Sequence, residues 1–132
     1  MPSALIVDDA IAVRAYLAEQ LEAVGFDTVA AANGLEALER CLTDDFALLV
    51  VDINMPVMDG YAFVSALRAS REAASAFAPV VMVSTEDQPD DAAKAYAAGA
   101  NVYLTKPVPG DLLASWARML VDLPDPDGDP FR

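Results

Sequence analysis

The chain has 132 residues, which suffices for one domain with a hydrophobic core and is too short for two ordinary domains. Eight basic residues stand against 21 acidic residues, and the formal net charge of −13 argues against direct binding to nucleic acid or to an anionic membrane. The chain contains no histidine, so catalysis and metal binding by histidine are excluded.

Few features of the sequence bear on the cellular compartment of the protein. The N-terminus has neither the basic segment nor the long apolar segment of a signal peptide, and no apolar run approaches the ~18 residues of a membrane span. The one cysteine, Cys41, excludes an internal disulfide and a thiolate metal cluster, and its apolar neighbours predict an inert buried thiol. We therefore expect a cytoplasmic protein.

Five short apolar runs predict the strands of a sheet. They are rich in valine and lack the polar alternation of a half-exposed strand, which is typical of strands buried on both faces of a parallel sheet. The runs occupy residues 4–7, 28–30, 47–51, 80–83 and 102–104.

Five amphipathic patterns predict one helix after each strand. Asn33 is placed as the N-cap of the second helix, with Glu36 three residues later, and Pro89 opens a fourth helix over residues 90–98. Gly25 and Gly99 stand where helix C-caps are expected. The apolar positions of the other helices are Val13, Leu17, Leu21 and Val24; Leu35, Leu38 and Leu42; Val64 and Leu67; and Leu112, Trp116, Met119 and Leu120.

This alternation predicts a (βα)₅ chain. Right-handed crossovers then give a three-layer α/β sandwich of the flavodoxin-like type, with a parallel sheet in the order 2-1-3-4-5. We expect one domain over residues 1–121. Residues 122–132 are dense in aspartate, proline and glycine, which predicts a disordered acidic tail.

Polar side chains follow the predicted strands at one edge of this sheet. Asp8 and Asp9 follow the first strand, Asp52 the third, Ser84 the fourth and Lys106 the fifth. Because ligands of open α/β sheets bind at the carboxyl ends of the strands, these groups are expected to converge in one pocket.

The residue types indicate the chemistry of that pocket. Clustered carboxylates repel each other unless a cation neutralises them, and oxygen ligands with an open edge suit Mg²⁺. A carboxylate beside such an ion can attack phosphorus, with a lysine screening the charge. Taken singly, each residue also has a structural explanation, such as a helix cap or a solvated surface lysine, so the hypothesis rests on their conjunction.

Four motifs carry a resemblance to a known family: "VDD" at 7–9, "VDINMPVMDG" at 51–60, "VSTE" at 83–86 and "YLTKP" at 103–107. Together they resemble the receiver domain of two-component response regulators over residues 3 to 121. Within that family, the chain resembles a stand-alone regulator of the chemotaxis type. The resemblance implies a signalling switch rather than an enzyme.

The resemblance assigns roles at the predicted pocket. Asp52 resembles the phosphoacceptor. Asp8 and Asp9 resemble the acidic pair that holds Mg²⁺ or Mn²⁺ together with Asp52, with Asp9 as the more direct ligand and Asp8 acting partly through water. Asn54 would add its backbone carbonyl to the metal. Lys106 would pair with the phosphoryl oxygens, and its peptide bond to the following proline is often cis in this family.

The resemblance also implies a switch. Ser84 resembles the hydroxyl that moves towards the phosphoryl group, and Tyr103 the aromatic residue that then turns inward. The shape of the face formed by the fourth helix, fifth strand and fifth helix would change. Asn54 and Glu86 occupy the positions that tune self-dephosphorylation and predict a short-lived phosphoryl state, while Thr85 is bulky enough to restrict access.

The implied partners are proteins. The phosphodonor would be a histidine kinase or a histidine phosphotransfer protein. Ile11 and Arg14 beside the site are candidates for docking it, and an explanation as ordinary edge residues is nearly as good. The output partner is an unidentified protein, with no nucleic acid and no membrane involved. A chemotaxis regulator, a phosphorelay intermediate, a phosphate sink and an excised domain of a longer protein all remain open.

Three other classes of protein match the sequence less well. An aspartyl-phosphate phosphatase of the haloacid-dehalogenase type places a second aspartate two residues after the nucleophile, where this chain has Asn54, and has a cap domain. A pseudo-receiver that switches without phosphorylation would normally have lost the acceptor, an acid or the lysine. A flavodoxin-like cofactor binder shares the topology, but no segment here resembles a flavin-phosphate loop.

Overall fold

A computed structural model describes residues 1–86 and 88–122. The predicted acidic tail therefore lies outside the described residues except for Asp122. Strands and helices alternate throughout, as the sequence predicts. They are β1 Ser3–Val7, α1 Ile11–Glu22, β2 Asp27–Ala31, α2 Gly34–Thr43, β3 Leu48–Asp52, α3 Gly60–Ala69, β4 Val80–Ser84, α4 Pro89–Ala98, β5 Val102–Thr105 and α5 Gly110–Val121.

The five strands form one parallel sheet in the order β2-β1-β3-β4-β5. This confirms the predicted flavodoxin-like α/β sandwich. Every residue of β3 and β4 is buried, which explains why these runs show no polar alternation: helices cover both faces of the sheet. None of the helices in the described part of the chain is long and apolar enough to cross a membrane.

Successive residues of each strand point to opposite faces of the sheet and build two hydrophobic cores. Leu49 and Val51 of β3 belong to the core that α2, α3 and α4 cover, whereas Leu48 and Val50 belong to the core that α1 and α5 cover. Cys41 lies in the first core, where burial raises the pKa of its thiol and the neighbouring Ser75 hydroxyl opposes that rise. This position confirms the prediction of a buried cysteine.

The buried face of α2 differs from the predicted leucine stripe. Leu35 and Leu42 are 45% and 50% exposed, and the residues that meet the sheet are Ala37 and Cys41. Leu38 alone of the three leucines packs partly against the core. The small side chains let the helix lie close to the sheet, and the leucines flank the contact.

The buried face of α5 also differs from the predicted apolar stripe. Leu113 and Ala117 are fully buried, whereas Leu112 and Met119 of the predicted stripe are exposed. Trp116 and Leu120 are partly buried, as expected for the edge of the contact. The predicted helix is correct, but its inward face is rotated by about one position, which is roughly 100°.

The predicted helix ends are largely confirmed. The Asn33 side chain accepts a hydrogen bond from the Glu36 backbone N–H at 2.9 Å and caps α2. Gly99 is the C-cap of α4 with φ +120°. Gly25, predicted to end α1, lies two residues after the C-cap Ala23 and takes φ +106°. It belongs to the turn that terminates the helix, because its N–H donates to the Glu22 carbonyl at 3.1 Å and the Phe26 N–H donates to the Leu21 carbonyl at 3.1 Å.

Arg68 near the end of α3 holds together the loops at the amino end of the sheet. Its guanidinium donates to the carbonyls of Ala76 at 2.9 Å, Ala78 at 2.7 Å and Gly99 at 2.8 Å, and to Asn101 Oδ1 at 3.1 Å. Burial lowers the pKa of this guanidinium. The carbonyl oxygens supply the hydrogen bonds that a partly buried cation requires.

Candidate functional site

The pocket forms where β1 and β3 end side by side. Val7 pairs with Val51 in the parallel ladder, so Asp8 and Asp52 leave neighbouring strands at the same level. Asp8 is 1% exposed and Asp52 is 5% exposed, while Asp9 faces solvent. The sequence prediction that these three aspartates converge is confirmed.

The three carboxylates form a group that fits a divalent cation. One oxygen each of Asp8, Asp9 and Asp52 lies within 4.8 Å of the others. Oxygen-only ligands on an edge with one exposed member match the preference of Mg²⁺, which keeps several waters. Asn54 is exposed in the loop that follows β3, two residues beyond Asp52.

Lys106 lies between the two buried carboxylates. Its Nζ is 2.8 Å from Asp8 Oδ2 and 3.1 Å from Asp52 Oδ1. Burial acts to lower the pKa of Lys106, but its hydrogen bonds and charge interactions with Asp8 and Asp52 outweigh burial and raise that pKa. The ammonium therefore stays charged at neutral pH.

The positive charge of Lys106 does not fully neutralise the carboxylates of the cluster. Burial, and after it the charge of Asp8, raise the pKa of Asp52 even though Lys106 acts in the opposite direction. The pocket thus holds an excess of negative charge around the buried Asp52 carboxylate. A further cation at the exposed edge would relieve this excess, which is an independent reason to regard the cluster as a cation site.

The backbone that carries the acidic pair is held from α1. Asp8 Oδ1 accepts from the Ala10 N–H at 2.9 Å, and Arg14 Nη1 donates to the Asp8 carbonyl at 2.7 Å. Sequence reasoning assigned Arg14 only to docking and missed this contact, because helical spacing does not reveal which way an arginine bends. Ile11 is 76% exposed beside the site, as a docking residue requires.

The side chain of Ser84 is buried at the end of β4. Its Oγ accepts a hydrogen bond from the Glu86 N–H at 3.1 Å, and its carbonyl accepts from the Lys106 N–H at 2.7 Å. Ser84 is therefore tied both to the segment that follows β4 and to the residue that carries the ammonium. Glu86 and Thr85 are exposed at the mouth of the site.

Tyr103 of β5 lies beside the same segment. Its ring is partly buried against the core that α4 covers, and its hydroxyl donates to the Glu86 carbonyl. Tyr103 was predicted to turn inward on phosphorylation, and the ring already packs against the core here. Ser84 and Tyr103 thus both contact the backbone of Glu86, the first at its N–H and the second at its carbonyl.

The loop between β3 and α3 packs tightly against the backbone of Asp52 and Ile53. The Gly60 N–H donates to the Ile53 carbonyl at 2.9 Å, and a Cβ on Gly60 would lie 2.9 Å from the Ile53 Cα and would clash with the Asp52 carbonyl. Val57 in this loop has φ +71°, a conformation that a β-branched residue rarely adopts. The peptide bond from Lys106 to Pro107 is cis, as predicted.

An apolar cleft of about 390 Å³ adjoins the site between α1 and the segment after β5. Tyr16 lines it and donates from its hydroxyl to the Val108 carbonyl at 3.0 Å. No sequence motif indicated this cleft, because its walls lie far apart in the chain. It is lined by Ala12, Val13, Tyr16, Leu17, Val83, Thr85, Lys106, Pro107 and Val108.

Comparison with protein families assigns residues 4–118 to the response regulator receiver domain. The chain is 40% identical over 106 residues to the transcriptional regulatory protein PrrA of Mycobacterium tuberculosis, covering 80% of this chain and 44% of that protein. It is 33% identical to the protein PilG of Pseudomonas aeruginosa, covering 78% of this chain and 75% of PilG. The chain thus spans less than half the length of the first of these relatives.

Solved structures agree with the family assignment. The chemotaxis response regulator CheY4 of Vibrio cholerae superposes with a TM-score of 0.83 at 33% identity, covering 91% of this chain and 98% of that one. A CheY-like receiver domain from Methanospirillum hungatei also gives a TM-score of 0.83, at 26% identity over 92% of this chain and 94% of that chain. This chain belongs to the response regulator receiver domain family, whose members are signalling switches that bind Mg²⁺ at an acidic pocket.

Proposed function

We propose that the chain is a phosphorylation switch in which Asp52 accepts a phosphoryl group from a histidine kinase or a histidine phosphotransfer protein. One observation carries the proposal: the buried Asp52 carboxylate lies beside two further carboxylates and 3.1 Å from the Lys106 ammonium. These are the groups that an acyl-phosphate acceptor needs. The presence of all of them in one cluster favours this function over a receiver that switches without phosphorylation.

The metal ligands in this proposal are Asp8, Asp9, Asp52 and the backbone carbonyl of Asn54. Asp9 is exposed and binds directly, whereas Asp8 acts partly through water because its Oδ2 is engaged by Lys106. Mg²⁺ or Mn²⁺, when bound, neutralises the carboxylates and the oxygens of the phosphoryl group.

The transfer itself is a displacement at phosphorus. A carboxylate oxygen of Asp52 forms a bond to phosphorus while the phosphorus–nitrogen bond of the phosphohistidine breaks and the imidazole leaves with the electron pair. Lys106 pairs with the oxygens of the group in transit. Since this sequence contains no histidine, the donor histidine lies outside it.

The switch follows from the contacts around Glu86. The Ser84 hydroxyl exchanges its hydrogen bond with the Glu86 N–H for one with a phosphoryl oxygen, and the segment after β4 moves with it. Tyr103, bonded to the same residue, responds and packs further inward. The segment after β4 thus has two arrangements, one with the Ser84–Glu86 hydrogen bond and one with Ser84 bonded to the phosphoryl group. The phosphoryl group shifts their populations because it makes different contacts in each.

Output in this proposal is by contact with a protein through the face of α4, β5 and α5. The net charge of −13 disfavours nucleic acid and membranes as partners. A chemotaxis role, a phosphorelay intermediate and a phosphate sink are the alternatives for the pathway. We place the receiver domain at residues 1–121, followed by an acidic tail over residues 122–132, in the cytoplasm.

Intact-mass spectrometry tests the proposal. The protein is incubated with acetyl phosphate and Mg²⁺, and we expect one added phosphoryl group per chain. Asp52→Asn is the control, and Asp45→Asn, which changes an exposed aspartate far from the site, should behave as wild type. Absence of an adduct together with absence of any beryllofluoride binding would overturn the proposal.

A further inference from the structure

The segment between β5 and α5 carries Lys106 and has few backbone donors of its own to hold it. It runs through residues 106–109, and Pro107 and Pro109 have no backbone N–H. The Lys106 N–H donates to the Ser84 carbonyl at 2.7 Å and fixes the beginning of the segment to the end of β4. The position of the segment beyond Lys106 therefore depends on other contacts.

Tyr16 of α1 supplies such a contact. Its hydroxyl donates to the Val108 carbonyl at 3.0 Å, two residues after Lys106. Tyr16 and Val108 both line the apolar cleft of about 390 Å³ between α1 and the segment, so close packing is incomplete on this side. The hydrogen bond consequently fixes the segment at a point where packing leaves space.

Helix α1 thereby contacts the backbone on both sides of the Lys106–Asp8 ion pair. Arg14 Nη1 donates to the Asp8 carbonyl at 2.7 Å, and Tyr16 holds the segment two residues after Lys106. The ion pair itself joins the two sides, with Lys106 Nζ 2.8 Å from Asp8 Oδ2 and 3.1 Å from Asp52 Oδ1. A shift of the segment away from α1 would therefore change the distances from Nζ to these carboxylates.

We propose that Tyr16 is a positioning residue for phosphoryl transfer, which acts by holding the segment that places the Lys106 ammonium beside Asp52. This inference rests on the proposed function, in which Lys106 pairs with the oxygens of the phosphoryl group in transit to Asp52. Tyr16 acts from the cleft and through the backbone, and not on the reacting atoms.

The strength of the hydrogen bond limits the effect of losing it. Loss of a single neutral hydrogen bond changes an equilibrium by about 3-fold to 10-fold. Lys106 keeps its direct contacts with two carboxylates, so we expect the ammonium to remain at the site in a less well-defined position. Binding of a phosphoryl group, whose oxygens require the ammonium at hydrogen-bond distance, should therefore weaken without being abolished.

The test is Tyr16→Phe, which removes the hydroxyl and keeps the ring. Beryllofluoride, a tetrahedral mimic of the phosphoryl group, is titrated calorimetrically into the protein with saturating Mg²⁺. We expect the apparent dissociation constant to rise about 3-fold to 10-fold. Mg²⁺ affinity without beryllofluoride should not weaken, because the variant leaves every carboxylate of the cluster in place.

A second measurement reports on Lys106 directly. Nitrogen-15 NMR at low temperature measures the exchange of the Lys106 ammonium hydrogens with water, which hydrogen bonds to carboxylates slow down. Tyr16→Phe should accelerate this exchange in the metal-free protein, because Nζ leaves the carboxylates more often. Loss of a purely structural contact would lower the melting temperature and leave this exchange rate unchanged.

The matched control is Tyr96→Phe, which removes an exposed hydroxyl from α4 and should change neither measurement. An unchanged or tighter beryllofluoride affinity in Tyr16→Phe would overturn the inference, and so would an unchanged exchange rate of the Lys106 ammonium. A Mg²⁺ affinity that weakens to the same extent would show a general disturbance of the site and would also overturn it. Failure of the wild-type protein to bind beryllofluoride would instead contradict the proposed function, and the inference would fall with it.

Discussion

Lys106 and Asp8 form an ion pair across the carboxyl edge of the sheet, with Nζ 2.8 Å from Oδ2 and side chains 19% and 1% exposed. Lys106 follows β5 and Asp8 follows β1, two strands that β3 and β4 separate. The ammonium therefore reaches across the ends of β4 and β3 to meet Asp8. It holds the buried acidic residues together at a site that carries excess negative charge.

Replacement of Lys106 by methionine should destabilise the protein. Asp8 and Asp52 would lose the cation between them, and we expect the free energy of unfolding to fall by about 2 kcal/mol, below the usual cost of breaking a buried pair because Lys106 is partly exposed. Urea unfolding with a chelator measures the loss, and Mg²⁺ should restore part of it. Lys94→Met, an exposed control, should have little effect. Equal stability of Lys106→Met and wild type would contradict the assigned contacts.

Replacement of Asp52 by asparagine should stabilise the metal-free protein at neutral pH. Burial raises the pKa of Asp52, so the folded protein holds this proton more tightly than the unfolded chain does. Above the ordinary aspartate pKa, the free energy of unfolding of the wild type therefore falls as pH rises, until the folded pKa is passed. Asparagine has no ionisable group, so the free energy of unfolding of the variant does not undergo this fall.

The pH dependence of urea unfolding in a chelating buffer checks this expectation. The difference between Asp52→Asn and wild type should be largest at neutral pH and should vanish when the pH drops below the ordinary aspartate pKa, where both proteins carry a neutral group. A variant less stable than wild type at neutral pH would show that Lys106 fully offsets the cost of burying the Asp52 carboxylate, and would contradict this expectation.

Replacement of Val57 by glycine should stabilise the loop after β3. Val57 has φ +71° and is 77% exposed, so the strained backbone is offset by little packing. Glycine adopts this conformation freely, and we expect a gain of about 1 kcal/mol in the free energy of unfolding. Val57→Ala should gain less, because its Cβ still disfavours positive φ. A loss of stability in Val57→Gly would indicate that the valine side chain makes a contact of its own.

The phosphoryl group on Asp52 should be short-lived. Asn54 and Glu86 are exposed near the mouth of the site, where polar side chains can guide a water molecule towards the phosphorus. Loss of the adduct is followed by intact mass after the donor is removed. Glu86→Ala should lengthen the lifetime several-fold. A lifetime of hours in the wild type would contradict the assignment of these two residues.

The sheet and the candidate site were predictable for a physical reason. Buried parallel strands read as uninterrupted apolar runs, and the polar residue that ends each run must lie at the carboxyl edge. Topology then brings Asp8, Asp52, Ser84 and Lys106 together without any knowledge of side-chain conformation. The observed ion pairs confirm that this convergence is real.

Features that depend on close packing were not predictable. Leucine spacing indicated the helices α2 and α5 but not their inward faces, because the buried Ala37 and Ala117 cannot be told by residue type from the many exposed alanines of this sequence. The contacts of Arg14 and Arg68 with backbone carbonyls also have no recognisable pattern in the sequence. Carbonyl oxygens are present at every residue, so sequence does not show which of them an arginine selects.

The most direct test of the central claim is the location of the phosphoryl group. The phosphorylated protein is reduced with borohydride, which converts an aspartyl phosphate to homoserine, and is then mapped by peptide mass spectrometry. We expect homoserine at position 52 alone, formed only when Mg²⁺ is present during phosphorylation. Homoserine at another aspartate, or an equal yield in a chelating buffer, would contradict the assignment of Asp52 as the metal-dependent acceptor.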